Sequence, residues 1–225
     1  MSRHLDPIQR RNFLGTLLAS ATVGVAGLAL PARLGAEEER PSPGSSEFAA
    51  WLGKIKGKHK QVFDCPAPKM GLPLAWARVF LMTNKAVGVS ESDVTAVMVL
   101  RHEGIPLGME SRLWEKYKFG EMFSVQDQAT KTALTANPFW MPKEGSLPLP
   151  GMGIDELQKS GVLFGICDMA LTVYSKMTAE KMNMSADEIK KDWVSGILPG
   201  IQVVPSGVLA VNRAQEHGCT YCFAG

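Results

Sequence analysis

The sequence predicts a doubly wound α/β domain, and two stretches carry most of that expectation. Val94–Leu100 and residues 162–167 are apolar runs without alternation, each bracketed by helix-like patterns. A strand buried on both faces of a parallel sheet reads this way, whereas a strand with one wet face alternates apolar and polar residues. Helix signals recur between such runs, so βαβ connections and a parallel sheet follow.

The elements come in a regular order. Residues 61–65 form a short first strand, ended by Pro66 and Pro68. Gly71 opens Leu72–Ala86, where Leu72, Trp76, Val79, Phe80 and Thr83 fall near one face of a helix. Asp93 leads into the second strand, and Arg101, His102, Glu103 and Gly104 follow as a polar loop. Ser111–Tyr117 and Ile154–Lys159 are short helices, the latter stopped at Gly161. The third strand ends at Cys167 and gives way to a helical pattern over 169–177. Ser185 to Glu188 is a capping box that starts a helix running to about Val194. Ile201–Val204 is a fourth strand stopped by Pro205; Ser206 then caps a helix over 207–217, with Gly218 as its C-terminal stop. Residues 219–223 are a last, edge-like strand. Five strands in this rhythm predict a flavodoxin-like fold: a five-stranded, mainly parallel sheet with helices on both faces and strand order 2-1-3-4-5.

Residues 120–153 break the rhythm. Pro138, Pro142, Pro148, Pro150 and several glycines discourage regular structure, and a loop this long in a compact domain is a lid, a binding loop or a disordered segment. Phe139, Trp140 and Met141 mark it as packing on something, which a lid and a subunit contact would both do.

The chain begins with an address. Arg10 and Arg11 precede Phe13, Leu14 and an apolar stretch rich in Ala, Gly and Leu up to Leu30. Paired arginines before a moderately apolar segment match a twin-arginine export signal, with Gly35 and Ala36 as a small-residue cleavage site. The rival is an uncleaved membrane anchor, a weak one because Gly, Ala and Thr are frequent in it. Residues 1–36 thus read as a signal peptide, 37–50 as a linker and 51–225 as one α/β domain, exported to the periplasm or beyond, with no stable membrane span after cleavage.

Charge narrows the partners. Residues 1–36 hold four of the 24 Lys and Arg and one of the 22 Asp and Glu, which leaves 20 against 21, a net charge of about −1, for the rest. Such a chain has no basic excess with which to displace counterions from nucleic acid.

Cys167 is the principal candidate for chemistry, a small buried hydrophobe being the plain alternative. In open α/β sheets ligands gather beyond the carboxyl ends of strands, and Cys167 ends one strand just before a helix, whose amides and dipole favour negative charge on sulfur. Asp168 opposes this if its carboxylate lies close. His102 follows the central strand and should open on the same edge, where it stabilises a thiolate or moves a proton; an exposed loop histidine is the plain alternative. Lys116 is a further source of positive charge, or a solvated helix residue. Cys65 closes the first strand, which neighbours the third in a 2-1-3-4-5 sheet, so Cys65 and Cys167 are expected to face each other as a redox or structural pair, or else to be unrelated thiols. Cys219 and Cys222 are spaced like a redox or metal motif, yet residues three apart on a strand point to opposite faces. No second ligand pair for zinc is evident. The twelve methionines are scattered as core filler rather than a copper site. Pro66 to Gly71 lacks a phosphate-binding loop for flavin. Neither a metal nor a cofactor is therefore expected.

Several features taken together resemble the DsrE-like sulfur-relay family, and within it the exported relatives with twin-arginine signals. They are the strand ending in Cys167, then Ala170-Leu171, then Val203-Val204-Pro205-Ser206-Gly207-Val208, then Gln215, Gly218 and Tyr221. Upstream, Val62-Phe63-Asp64, the Val94–Leu100 strand with its loop, and Leu113 to Tyr117 also match, so the resemblance covers most of the domain. It implies a flavodoxin-like fold assembled as a homo-trimer or hexamer. It also implies a persulfide carried on Cys167, with a sulfur donor or acceptor protein, or a small sulfur species, as partner. Asp168 departs from the Asn or Gly often found after that cysteine. Two functions follow as expectations: a sulfur relay or sulfurtransferase-like protein, and a non-catalytic oligomeric binding module in which residues 120–153 cover a ligand or a neighbouring subunit.

Overall fold

The computed structural model describes residues 45–225. The expected signal peptide and residues 37–44 of the linker lie outside them. Within them the chain runs α1 (Ser45–Leu52), β1 (His59–Cys65), α2 (Leu72–Ala86), β2 (Val94–Leu100), α3 (Ser111–Tyr117), α4 (Phe119–Met122), α5 (Ile154–Lys159), β3 (Leu163–Cys167), α6 (Asp168–Met182), α7 (Ala186–Ser195), β4 (Ile201–Val204), α8 (Gly207–Glu216) and β5 (Thr220–Phe223). No helix among the described residues is long and apolar enough to cross a membrane.

All five strands are parallel, and the fold is α/β and flavodoxin-like. The strand order is a correction: it is 4-3-2-1-5, not 2-1-3-4-5. The connections explain it. From β1 to β4 each crossover steps one strand in the same direction, so right-handed crossovers keep α2 to α7 on one face. The return from β4 to β5 crosses the sheet the other way and leaves α8 on the opposite face, beside α1. Two cores result. Phe63, Met98, Phe164 and Ile166 meet α2 to α7, while Val62, Val97, Val99 and Val204 meet Trp51 of α1 and Val211 of α8. The alternation along β2 sends successive residues to opposite cores, which is why this strand is apolar at every position but Thr95.

Three local features differ from expectation. The last six residues of the expected linker, 45–50, belong to α1: Phe48, Trp51 and Leu52 are buried, and the Trp51 indole donates to the Phe164 carbonyl at 3.1 Å. The Pro, Gly and Ser just upstream mask a helix that tertiary burial stabilises. The polar loop after β2 is a 3-10 helix, His102–Gly108, whose Ile105 and Leu107 enter the core. In α2 the buried face is Pro73, Leu74, Ala75 and Ala77. The stripe of Leu72, Trp76 and Val79 points outward, Leu72 being 51% and Trp76 46% exposed.

Residues 120–153 pack on their own domain. Phe139 is buried against Gly71, and the buried Asn137 amide donates to the carbonyls of Leu107 and Met109 at 2.9 and 2.8 Å. Met141 stays exposed.

Candidate functional site

The carboxyl edge of the sheet carries an open cleft of about 500 Å³ built from three strand ends. Arg101 and His102 follow β2, Cys167 ends β3, and Ser206 and Gly207 follow β4; Met169, Val173, Tyr174, Met177 and Val208 form its walls. Clefts at this edge exist because parallel strands end together and successive loops diverge to their helices.

Cys167 sits on the floor, 5% exposed. It is the N-cap of α6, and its sulfur accepts the Ala170 N–H at 3.2 Å. An N-cap acceptor takes up one of the free amides of the first helical turn, so α6 presents a donor and the positive end of its dipole to the sulfur. Asp168, whose carboxylate would oppose negative charge on the sulfur, is paired with α7: Lys190 Nζ lies 2.8 Å from one Asp168 oxygen and 2.9 Å from the other.

His102 reaches the same cleft. It stands at φ 49°, which turns its exposed ring toward α6, where it meets Tyr174 edge-on with centroids 5.7 Å apart. The Tyr174 hydroxyl lies 3.4 Å from Nε2.

Cys65 is not part of this cleft. In the 4-3-2-1-5 sheet β2 separates β1 from β3, Cys65 pairing with Leu100 and Leu100 with Ile166. Two strand spacings are about 9.6 Å, beyond the roughly 7 Å that a disulfide spans between Cα atoms. The facing pair expected from the other strand order is therefore corrected, and Cys65 is a free, fully buried thiol. Its S–H donates to the Ala67 carbonyl at 3.4 Å. Burial, then the neighbouring Asp64 charge, pushes the thiol far above its ordinary value, so it stays protonated.

Lys116 is also elsewhere. It pairs with Asp192 of α7 at 2.7 Å, in a network with Arg112 and Tyr117 that ties α3 to α7. Cys219 lies just before β5, not in it, and packs in the core of α1 and α8, while Cys222 on β5 packs against the other core. No group of three His, Cys, Asp or Glu suited to a metal occurs among the described residues.

The residue that sequence reasoning underrated is Arg101. Its guanidinium forks onto Asp64, Nε to Oδ1 at 2.5 Å and Nη2 to Oδ2 at 2.8 Å, and the Tyr221 hydroxyl donates to the same Oδ2 at 2.8 Å. A signal was present: opposite charges stand at the ends of two strands, Asp64 before Cys65 and Arg101 just after Leu100.

Comparison with protein-family models, curated proteins and solved structures yields no match.

Proposed function

We propose that the protein is an exported, homo-oligomeric sulfur-relay or sulfurtransferase-like protein whose Cys167 carries sulfur as a persulfide. The observation that carries this reading is Cys167 at the floor of an open cleft, its sulfur at the head of α6 and bonded to an amide. Sulfur transfer begins with a thiolate attacking sulfur, and an amide donor with a helix dipole favours the anionic sulfur of both the attacking thiolate and the persulfide product. His102, on the same cleft, takes the role of proton carrier. The resemblance to DsrE-like proteins supports the same role and an assembly of three or six copies. The outward stripe of Leu72, Trp76 and Val79 suits a subunit contact, since contiguous exposed apolar surface on a soluble domain marks an interaction site.

A second reading has its own observation. Met169, Val173 and Met177, four residues apart on α6, and Val208 opposite them are exposed apolar walls. They favour a module that binds a partner without turnover.

Incubation of the reduced protein with polysulfide or thiosulfate, followed by intact mass and cysteine mapping, separates the two. The relay reading expects one sulfur on Cys167, removed by reductant. A Cys167 that stays unmodified and labels only after denaturation leaves the binding module.

A further inference from the structure

Among the described residues Asp64 is the only charged side chain that is buried, at 4% exposure. A lone buried carboxylate is costly and persists where it is paired and hydrogen-bonded. Here both oxygens are committed, to Arg101 and to Tyr221, and these contacts fix the direction of the guanidinium. The stem of Arg101 is held too: a β-carbon on Gly207 would lie 2.4 Å from Arg101 Cβ, so the arginine packs directly on the backbone at the start of α8. The guanidinium spends one N–H of Nη2 and its Nε–H on Asp64. Among the described residues its remaining N–H groups meet no protein acceptor, and Arg101 lines the Cys167 cleft. Arg101 is raised above its ordinary value, first by the bonds to Asp64, with Tyr221 and Cys167 adding smaller contributions.

We infer that Arg101 is the anion-binding residue of the cleft, with Asp64 and Tyr221 as its positioning residues, and that the sulfur donor is a small anion of the thiosulfate class. This rests on the sulfur-relay reading for the identity of the donor, though not for the anion site. Because Asp64 offsets the charge of Arg101, selectivity comes from directed hydrogen bonds to planar or tetrahedral oxygens rather than from net charge. In the transfer step, the Cys167 thiolate attacks the outer sulfur of thiosulfate. A sulfur–sulfur bond forms to Cys167 and the bond to the sulfonate sulfur breaks. The electron pair leaves with sulfite, which takes up the proton lost by the thiol, and no external oxidant is needed. Arg101 would bond the sulfonate oxygens of the donor and then the departing sulfite.

The test compares alkylation of Cys167 by anionic iodoacetate and neutral iodoacetamide, read by peptide mapping, in the unaltered protein, in Arg101→Lys and in Tyr221→Phe, alongside sulfur transfer from thiosulfate. Lysine keeps a positive charge beside Asp64 and removes the guanidinium N–H groups left over for the cleft; Tyr221 is half-exposed on an edge strand, so its hydroxyl can be lost without emptying the core. The folded protein is expected to favour iodoacetate over iodoacetamide about tenfold to a hundredfold more than the denatured protein does, the effect of one charge-assisted hydrogen bond. Arg101→Lys should abolish that preference and raise the KM for thiosulfate by a similar factor, while Tyr221→Phe should weaken both a few-fold. An unchanged preference in Arg101→Lys, or none in the unaltered protein, overturns the inference. A preference that depends on Arg101 without any sulfur transfer keeps the anion site and overturns the relay reading. A folded protein in which Cys167 reacts with no reagent overturns both.

Discussion

Cys65 and Cys167 end two parallel strands on the same edge of one sheet, and the structure gives them opposite chemistry. After Cys167 the chain enters α6 at once, so the sulfur becomes the helix cap and accepts an amide beside an open cleft. After Cys65 come Pro66 and Pro68, no helix cap forms, and the turn through Gly104 closes over the thiol, which donates a hydrogen bond instead of accepting one. A strand-end cysteine is thus made accepting or donating by the residues next in the chain and by the neighbouring loop packed above it.

Exchange of each cysteine for serine should break the comparison most sharply. Cys167→Ser is expected to lose all sulfur uptake from polysulfide, while Cys65→Ser keeps it; intact mass after incubation reads both, and uptake that tracks Cys65 would reverse the assignment.

Gly104→Ala comes next. The added β-carbon would stand 2.3 Å from the Cys65 carbonyl oxygen and 3.1 Å from its sulfur. That carbonyl already accepts the backbone N–H of Arg101 at 3.0 Å, a bond that its retreat would strain. A loss of about 2–3 kcal/mol in urea unfolding is expected, together with new labelling of Cys65 in the folded state. An alanine variant as stable as the parent would show that the seal is loose.

The sealed thiol also sets a pH dependence. Its folded value is raised above the ordinary 9.0, so the folded state keeps a proton that the unfolded state releases. Stability from this group is complete below about pH 9 and is lost above it, by about 1.4 kcal/mol per pH unit. Urea midpoints at pH 8, 9 and 10 should fall more steeply for the parent than for Cys65→Ala, and parallel slopes would refute the assignment.

The smallest effect belongs to Lys190. Lys190→Gln frees the Asp168 carboxylate at the head of α6, beside the sulfur. Interactions of partly exposed charges with a helix end are worth about 0.3–1 kcal/mol, so alkylation of Cys167 at neutral pH should slow about twofold to fivefold. An unchanged rate would mean that solvent already screens Asp168.

Much of this was legible in the residues. β2, β4 and helices α2, α3 and α5 lie where the apolar runs and the bounding glycines and prolines place them. Ser185 and Ser206 cap their helices by accepting from Glu188 and Leu209, because a local hydrogen bond depends on local spacing alone. The strand-end position of Cys167 and the shared edge of His102 also follow from sequence order, since all strands in a βαβ sheet point the same way.

The strand order was decided only in three dimensions. Each crossover of this length can reach a strand on either side, and no single segment records the choice, yet it alone places β2 between Cys65 and Cys167. The outward stripe of α2 was equally hidden, because two apolar faces compete and only the neighbouring sheet selects the one with small residues that lets the helix approach. Asp64 of β1 accepts from Arg101, just past β2, and from Tyr221 of β5, which joins groups far apart in the chain. Sequence determined the elements and the candidate thiol, because propensity and capping act over a few residues. Tertiary structure decided which groups meet that thiol, because contacts across a sheet depend on an order that no local pattern encodes.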